Sequence, residues 1–266
     1  MSRRPHLFIV PYDSGHKGLR MGAGPLRLRA EIDLPATEIE DNAEFQCENV
    51  TAFRLYRQLA ARVAQHRGSM PVVFSGNCGA AIGTAAGVGI QDLGIIWFDA
   101  HGDFNTPETS PSGFLDGMAL SILTGRCWTT AASSIPAFFP IETNRVIHAG
   151  GHDWDPGELE SLRESGAGVI LPGEDPAATI EALSKRARRL IVHVDIDVLD
   201  TRYGMANAYA KPGGMSPEEV RAIIARCGES FEIAAVVVAS YDPSLDGDGR
   251  VARAASAIAE TAMSFT

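Results

Sequence analysis

The sequence predicts an open, doubly wound α/β sheet built as one domain over residues 1–266. Three observations carry this reading: short apolar, β-branched runs recur along the chain, stretches of helical length separate them, and the two kinds alternate throughout. The runs at 7–10, 71–74, 94–98, 145–149, 168–171, 190–194 and 233–239 are largely apolar rather than alternating. Continuous runs of this length fit strands buried on both faces of a parallel sheet. Between them, 50–66, 80–88, 116–124, 156–164, 176–189, 217–227 and 249–262 read as helices. The helix at 217–227 has the clearest start, with Ser216 as cap, Pro217 in the first turn and Glu218 and Glu219 behind it. Segments 106–113 and 203–214 are rich in Gly, Pro, Ser, Thr or Asn and read as irregular. Ligands of open α/β sheets bind beyond the carboxyl ends of the strands, so the residues after each apolar run are the ones to inspect.

Composition excludes several function classes. Asp and Glu number 33 against 23 Lys and Arg, a formal charge of −10. Such a balance argues against binding nucleic acid or an anionic membrane, both of which need clustered cations. The one dense basic run, Lys185, Arg186, Arg188 and Arg189, reads as the end of helix 176–189 facing the negative pole of its dipole. Cys47, Cys78, Cys127 and Cys227 are scattered without a Cys-x-x-Cys pair, so neither a zinc knuckle nor a disulfide framework is signalled. Residues 7–10 are too few for a signal-peptide core, and no apolar stretch nears bilayer-spanning length. A reducing, cytoplasmic location is expected.

The chemistry sits after two strands. Run 94–98 leads into Asp99-Ala100-His101-Gly102-Asp103-Phe104-Asn105, and run 190–194 into Asp195-Ile196-Asp197. Alternate side chains of an extended chain share a face, so Asp99, His101 and Asp103 can converge, as can Asp195 and Asp197. A lone Asp-x-Asp is usually an acidic turn. Four carboxylates gathered at buried strand ends, however, repel one another unless cations compensate them. Carboxylates with one imidazole suit a hard or borderline divalent ion such as Mn²⁺, and a shared carboxylate can bridge two such ions. His193 has the parity of Asp195 but is turned into the protein, and it reads as a packed or supporting histidine.

At these residues the sequence resembles the arginase or ureohydrolase family, which includes agmatinases and formiminoglutamases. Asp99–Asn105 matches the family's Asp-Ala-His-x-Asp-x-Asn signature, and 194–200 its later Asp-x-Asp-x-x-Asp signature. Gly22-Ala23-Gly24-Pro25 and Gly213-Gly214-Met215-Ser216 add weaker support. The resemblance implies an α/β fold in three layers, α/β/α, around a mainly parallel eight-stranded sheet. It also implies two Mn²⁺ ions holding a hydroxide, with Asp99 and Asp195 bridging, His101, Asp103 and Asp197 as further ligands, and Asp103 or a neighbouring carboxylate orienting the hydroxide. The implied reaction is hydrolysis of a linear C–N bond in L-arginine or an N-substituted relative, by a homo-oligomer of three or six chains. Asn105 and Ser112 fall where the family holds the substrate α-carboxylate, and Asp155, with Glu158 nearby, where it holds the α-amino group. Amide and hydroxyl donors suit a carboxylate, and a carboxylate suits an ammonium. Asp155 also stands where it would cap the helix expected from Pro156.

Three positions depart from the family pattern. Cys78, in Ser75-Gly76-Asn77-Cys78, replaces a ligand histidine; a thiolate there is softer and shorter, and one of the two ions is expected to bind weakly or be exchanged. Asp116 replaces a loop histidine that moves protons, a task a carboxylate performs only with a raised pKa. Ser240 replaces a glutamate that faces the guanidinium, and Asp242 supplies the missing charge only if the chain stays extended beyond the strand. Cys78 together with the run 103–109 resembles the branch that contains an Nω-hydroxy-L-arginine amidinohydrolase. The alternatives are therefore that activity, hydrolysis of a formimino or guanidino acid, and a degenerate family member without catalysis.

Overall fold

The structure, a computed structural model, describes residues 3–265. It opens with β1 (Arg4–Val10), a short hairpin of β2 (Tyr12–Asp13) and β3 (His16–Lys17), α1 (Gly24–Arg29) and β4 (Ala36–Glu38). There follow α2 (Glu48–Gln65), β5 (Ser69–Ser75), α3 (Ala80–Val88), β6 (Leu93–Phe98), α4 (Ala119–Leu123) and α5 (Thr129–Ala132). The second half contains β7 (Val146–Ala149), α6 (Glu158–Glu164), β8 (Gly168–Ile170), α7 (Ala177–Ser184), β9 (Arg189–Asp195), α8 (Pro217–Ser230), β10 (Glu232–Ala239) and α9 (Arg250–Met263). Eight strands form one sheet in the order β4-β1-β5-β10-β9-β6-β7-β8, parallel at every pairing.

Alternation along the strands builds two cores, one on each face. On β9, Leu190, Val192 and Val194 join α7, α8 and α9, whereas Ile191 turns to the side of α2, α3 and α4. Helices therefore cover both faces, which is why the strands read as unbroken apolar runs. The seven expected strands are all present. The eighth, β4, is a three-residue edge strand of half-buried Ala36, Thr37 and Glu38, and it has no apolar run to betray it.

Helix ends differ from expectation in three places. The 116–124 segment opens as a 3₁₀ turn, Asp116–Met118, before α4. The helix expected from Pro156 starts at Glu158. That expected to reach Arg189 stops at Ser184, because Arg189 is the first residue of β9. The basic run does begin at the end of that helix, with Lys185 as its C-cap, and continues into the next strand. Arg189 donates to the Val88 carbonyl at 3.0 Å and the Gly89 carbonyl at 3.0 Å, at the carboxyl end of α3. Basic groups thus face the negative ends of two helices, Lys185 that of α7 and Arg189 that of α3. Ser216 caps α8 as expected, in a reciprocal box with Glu219.

Register brings the functional loops together. Trp97 pairs with His193 and Phe98 with Val194, so Asp99 and Asp195 leave β6 and β9 at the same level. Ala239 pairs with Asp195, which sets Ser240 beside them. Glycines let the surrounding backbones close in: a Cβ on Gly24 would meet the Tyr241 carbonyl oxygen at 2.0 Å, and one on Gly76 the Tyr12 carbonyl at 2.2 Å. Gly24→Ala is therefore expected to cost about 1–3 kcal/mol of stability, or more, through overpacking, as a denaturant midpoint would report. An unchanged midpoint would mean that this approach is not a tight one. No helix among the described residues is long and apolar enough to cross a membrane.

Candidate metal centre and substrate cavity

Beyond the carboxyl end of the sheet lies a cavity of about 260 Å³. Cys78, His101, Asp103, Asp195 and Asp197 line it, while Asp99 is buried beside them at 1% exposure. Local hydrogen bonds aim these groups. Asp99 accepts from the Trp97 indole at 3.1 Å and the His101 amide at 2.8 Å, and Asp195 accepts from the Asp197 amide at 2.9 Å. His101 Nδ1 lies 3.4 Å from Asp99 Oδ1 and 3.5 Å from Asp197 Oδ2. One ligand atom from each of Asp99, His101 and Asp197 can be chosen so that all lie within 4.8 Å of one another. The Cys78 thiol donates to Asp195 Oδ2 at 3.0 Å and lies 3.3 Å from Ser240 Oγ.

The electrostatics call for cations. Burial and then the Asp197 charge push Asp99 upward, and burial with neighbouring carboxylates pushes Asp103 and Asp195 well above the ordinary carboxylate range. Burial opposes a charge on His101, but the surrounding carboxylates outweigh it and raise its pKa to about 10. Asp103 Oδ2 is buried with no hydrogen-bond partner among the described residues. A partnerless buried carboxylate oxygen among like charges is what a divalent ion would complete, so the donor set fits a metal centre. Asp103 (φ 50°) and Ser240 (φ 66°) both adopt left-handed backbone. For non-glycine residues that is uncommon, and its occurrence at two cavity residues marks the site as one where the fold overrides local preference.

The rest of the cavity is polar. Asn105 donates to Asp155 Oδ2 at 2.8 Å and Glu158 Oε1 at 3.1 Å, joining the two halves of the expected amino-acid subsite. Asp155 thus serves Asn105, and its side chain does not cap α6. Glu158 also accepts from the Phe104 amide at 2.9 Å, fixing the chain after Asp103. Ser112 lies exposed on the cavity lining. Asp116 lines it too, but accepts from Asn77 Nδ2 at 2.9 Å and from the amides of Cys78 and Gly79, each at 3.0 Å. It therefore anchors the turn that presents Cys78, and burial, partly offset by those donors, raises its pKa to about 7.

Asp242 is a correction. The left-handed turn at Ser240 breaks the extended chain, and Asp242 accepts instead from the Ser244 amide at 2.9 Å and hydroxyl at 2.7 Å. It is absent from the residues that line the cavity. Sequence reasoning missed Asn207, which donates to Asp197 Oδ2 at 3.1 Å and the Ser240 carbonyl at 2.8 Å. Its only signal was its place in the irregular segment 203–214. Tyr209 from the same segment stacks on Phe114 at 5.9 Å, both lining the cavity.

Fold and site together define an α/β protein with a carboxylate-rich, metal-competent centre at the carboxyl ends of parallel strands. The chain belongs to the Arginase family, whose sequence model matches residues 5–264. It is accordingly a hydrolase of the ureohydrolase type. An arginase of Bacillus caldovelox is 30% identical, with 94% of each chain covered. Its solved structure superposes with a TM-score of 0.85 at 27% identity, over 98% of both chains. An Nω-hydroxy-L-arginine amidinohydrolase of Streptomyces lavendulae is 33% identical over 58% of this chain and 55% of its own length.

Proposed function

We propose that the chain is an amidinohydrolase that uses two divalent cations, Mn²⁺ by resemblance, to hydrolyse the guanidino C–N bond of L-arginine or an N-substituted relative. The observation that carries this is the sharing of one cavity by the candidate ligands Cys78, His101, Asp103, Asp195 and Asp197 and by the Asn105, Ser112, Asp155 and Glu158 group. When bound, the cations would acidify a shared water and supply a nucleophile near neutral pH. Asp99, His101, Asp103, Asp195 and Asp197, with Cys78, would hold them. Asp103 Oδ2, free of protein partners, orients the attacking water. Asp116, with a pKa of about 7, takes up a proton and returns it to the departing amine. Ser112 offers its hydroxyl to the α-carboxylate, Asn105 joins it by turning to the substrate one of the amide hydrogens it gives to Asp155 and Glu158, and those two carboxylates bind the α-ammonium.

One feature favours the N-hydroxylated substrate over arginine itself. The cavity wall carries the neutral Ser240 where the family resemblance leads one to expect a glutamate, and Asp242 does not line the cavity in its stead. A less basic N-hydroxyguanidine asks less of that wall. Product release from arginine, Nω-hydroxyarginine, agmatine and guanidino acids, measured side by side with Mn²⁺, tests the reading. Nω-hydroxyarginine is expected to lead. Agmatine, lacking the carboxylate, is expected to fall at least about tenfold in kcat/KM, the weight of one charged hydrogen bond. Silence on all four would refute the guanidine class. The resemblance also carries the expectation of a trimer or hexamer, which light scattering would check.

A further inference from the structure

His193 has no solvent exposure, and neither of its ring nitrogens has a hydrogen-bond partner among the described residues. That is unusual, since a buried imidazole almost always satisfies at least one nitrogen. Its ring stacks on Trp97 with centroids 3.6 Å apart, so its plane is fixed by an adjacent strand. It lies two residues before Asp195 on β9 and therefore on the same face of the sheet, paired in register with Trp97, which in turn lies two residues before Asp99. A ring nitrogen of His193, Cys78 Sγ and a carboxylate oxygen of Asp99 lie within 4.8 Å of one another. Tetrahedral coordination with bonds of 2.0–2.3 Å sets ligand atoms roughly 3.3–3.8 Å apart, so each pair needs to close by no more than about 1.5 Å.

We propose that His193 supplies the imidazole that position 78 lacks, so that Cys78, His193 and Asp99 are among the ligands of one of the two ions. The proposal rests on the reading of this cluster as a metal centre. It assigns the pair unlike ions. A site with one sulfur, one imidazole nitrogen and one carboxylate selects Zn²⁺ or Co²⁺ over Mn²⁺, whereas Asp99, His101 and Asp197 form an oxygen-rich site suited to Mn²⁺. The thiol proton is released as Cys78 coordinates. Stacking on Trp97 holds the imidazole in place without consuming either nitrogen.

The test uses metal-stripped protein labelled with ¹⁵N in its histidine rings and titrated with Zn²⁺. Coordination shifts are expected at two imidazoles, His101 and His193, with the His193 signal assigned by its absence from His193→Phe. Co²⁺ is expected to give a sulfur-to-metal charge-transfer band that Cys78→Ser removes, and His193→Phe to weaken one Zn²⁺ site at least tenfold. Uptake of metal with only one imidazole shifting would overturn the proposal and leave the metal centre standing. A protein that takes up no Mn²⁺, Zn²⁺ or Co²⁺ would overturn both. Counting shifted imidazoles needs only the unaltered protein, so the question is decided even where His193→Phe does not fold.

Discussion

Asp195→Ala is expected to lower kcat/KM by at least about 10³-fold and to remove at least one bound metal equivalent, the scale set by several kcal/mol of Lewis-acid stabilisation. Asp195 is 5% exposed and receives hydrogen bonds from the Cys78 thiol and the Asp197 amide, so it stands at the junction of the candidate ligands. The same residue has the opposite effect on the metal-free fold. Burial and the nearby charges of Asp197 and Asp99 hold its pKa well above the ordinary range, so the carboxylate is a burden when no cation balances it. Asp195→Asn, which keeps the volume and drops the charge, is expected to make the metal-free protein more stable than the parent while abolishing turnover. Calorimetry of both stripped proteins checks the sign. Retained turnover in Asp195→Ala would remove the residue from the centre.

Stability of the metal-free protein should fall as pH rises from about 4 to 7. For an acid whose folded pKa exceeds its unfolded value, the folded state binds the extra proton, and stability declines between the two values. Asp116 moves from 3.8 to about 7, and Asp99, Asp103 and Asp195 shift in the same direction. Buried His148, held down to about 4, and His193, also lowered, work in the opposite sense below pH 6.5, and the four carboxylates outweigh them to leave a net loss on the order of a few kcal/mol across that window. Saturating divalent metal binds only the ionised folded form and should flatten or reverse the slope. Denaturation at pH 5 and pH 7, with chelator and with metal, measures it. Equal stability at both pH values in chelator would show that the carboxylates are not held together as described.

The sequence revealed most where one strand dictates geometry. Asp99, His101 and Asp103 follow a continuous apolar run at alternate positions, and Asp195 and Asp197 repeat the pattern, so their convergence needed only strand parity and adjacent strands. Parity failed where the backbone left the strand. Ser240 turns left-handed, and Asp242, expected to reach the cavity, turns instead to Ser244. The resemblance implied eight strands, but the place of the eighth could not be read because an edge of three half-buried residues carries no hydrophobic period. Asn207 escaped because a loop residue's partners, Asp197 and Ser240, are set by tertiary approach and not by spacing. His193 was visible as to face but not as to partners: two unsatisfied nitrogens are a property of the packed interior alone.

The strand order has a consequence for how the protein folds. β5 and β6 follow one another in the chain but are separated in the sheet by β10 and β9. Cys78 consequently meets Asp195 across 117 residues and Ser240 across 162. Contacts so remote in sequence are slow to form, because loop closure must precede them. Until the last strand slots between β5 and β9, Cys78 is not held against the carboxylates that β6 and β9, as direct neighbours, bring together themselves. The repulsion between those carboxylates therefore arises as soon as β6 and β9 pair, and a divalent ion present then would favour that pairing, whereas a site that includes Cys78 is complete only once β10 is in place.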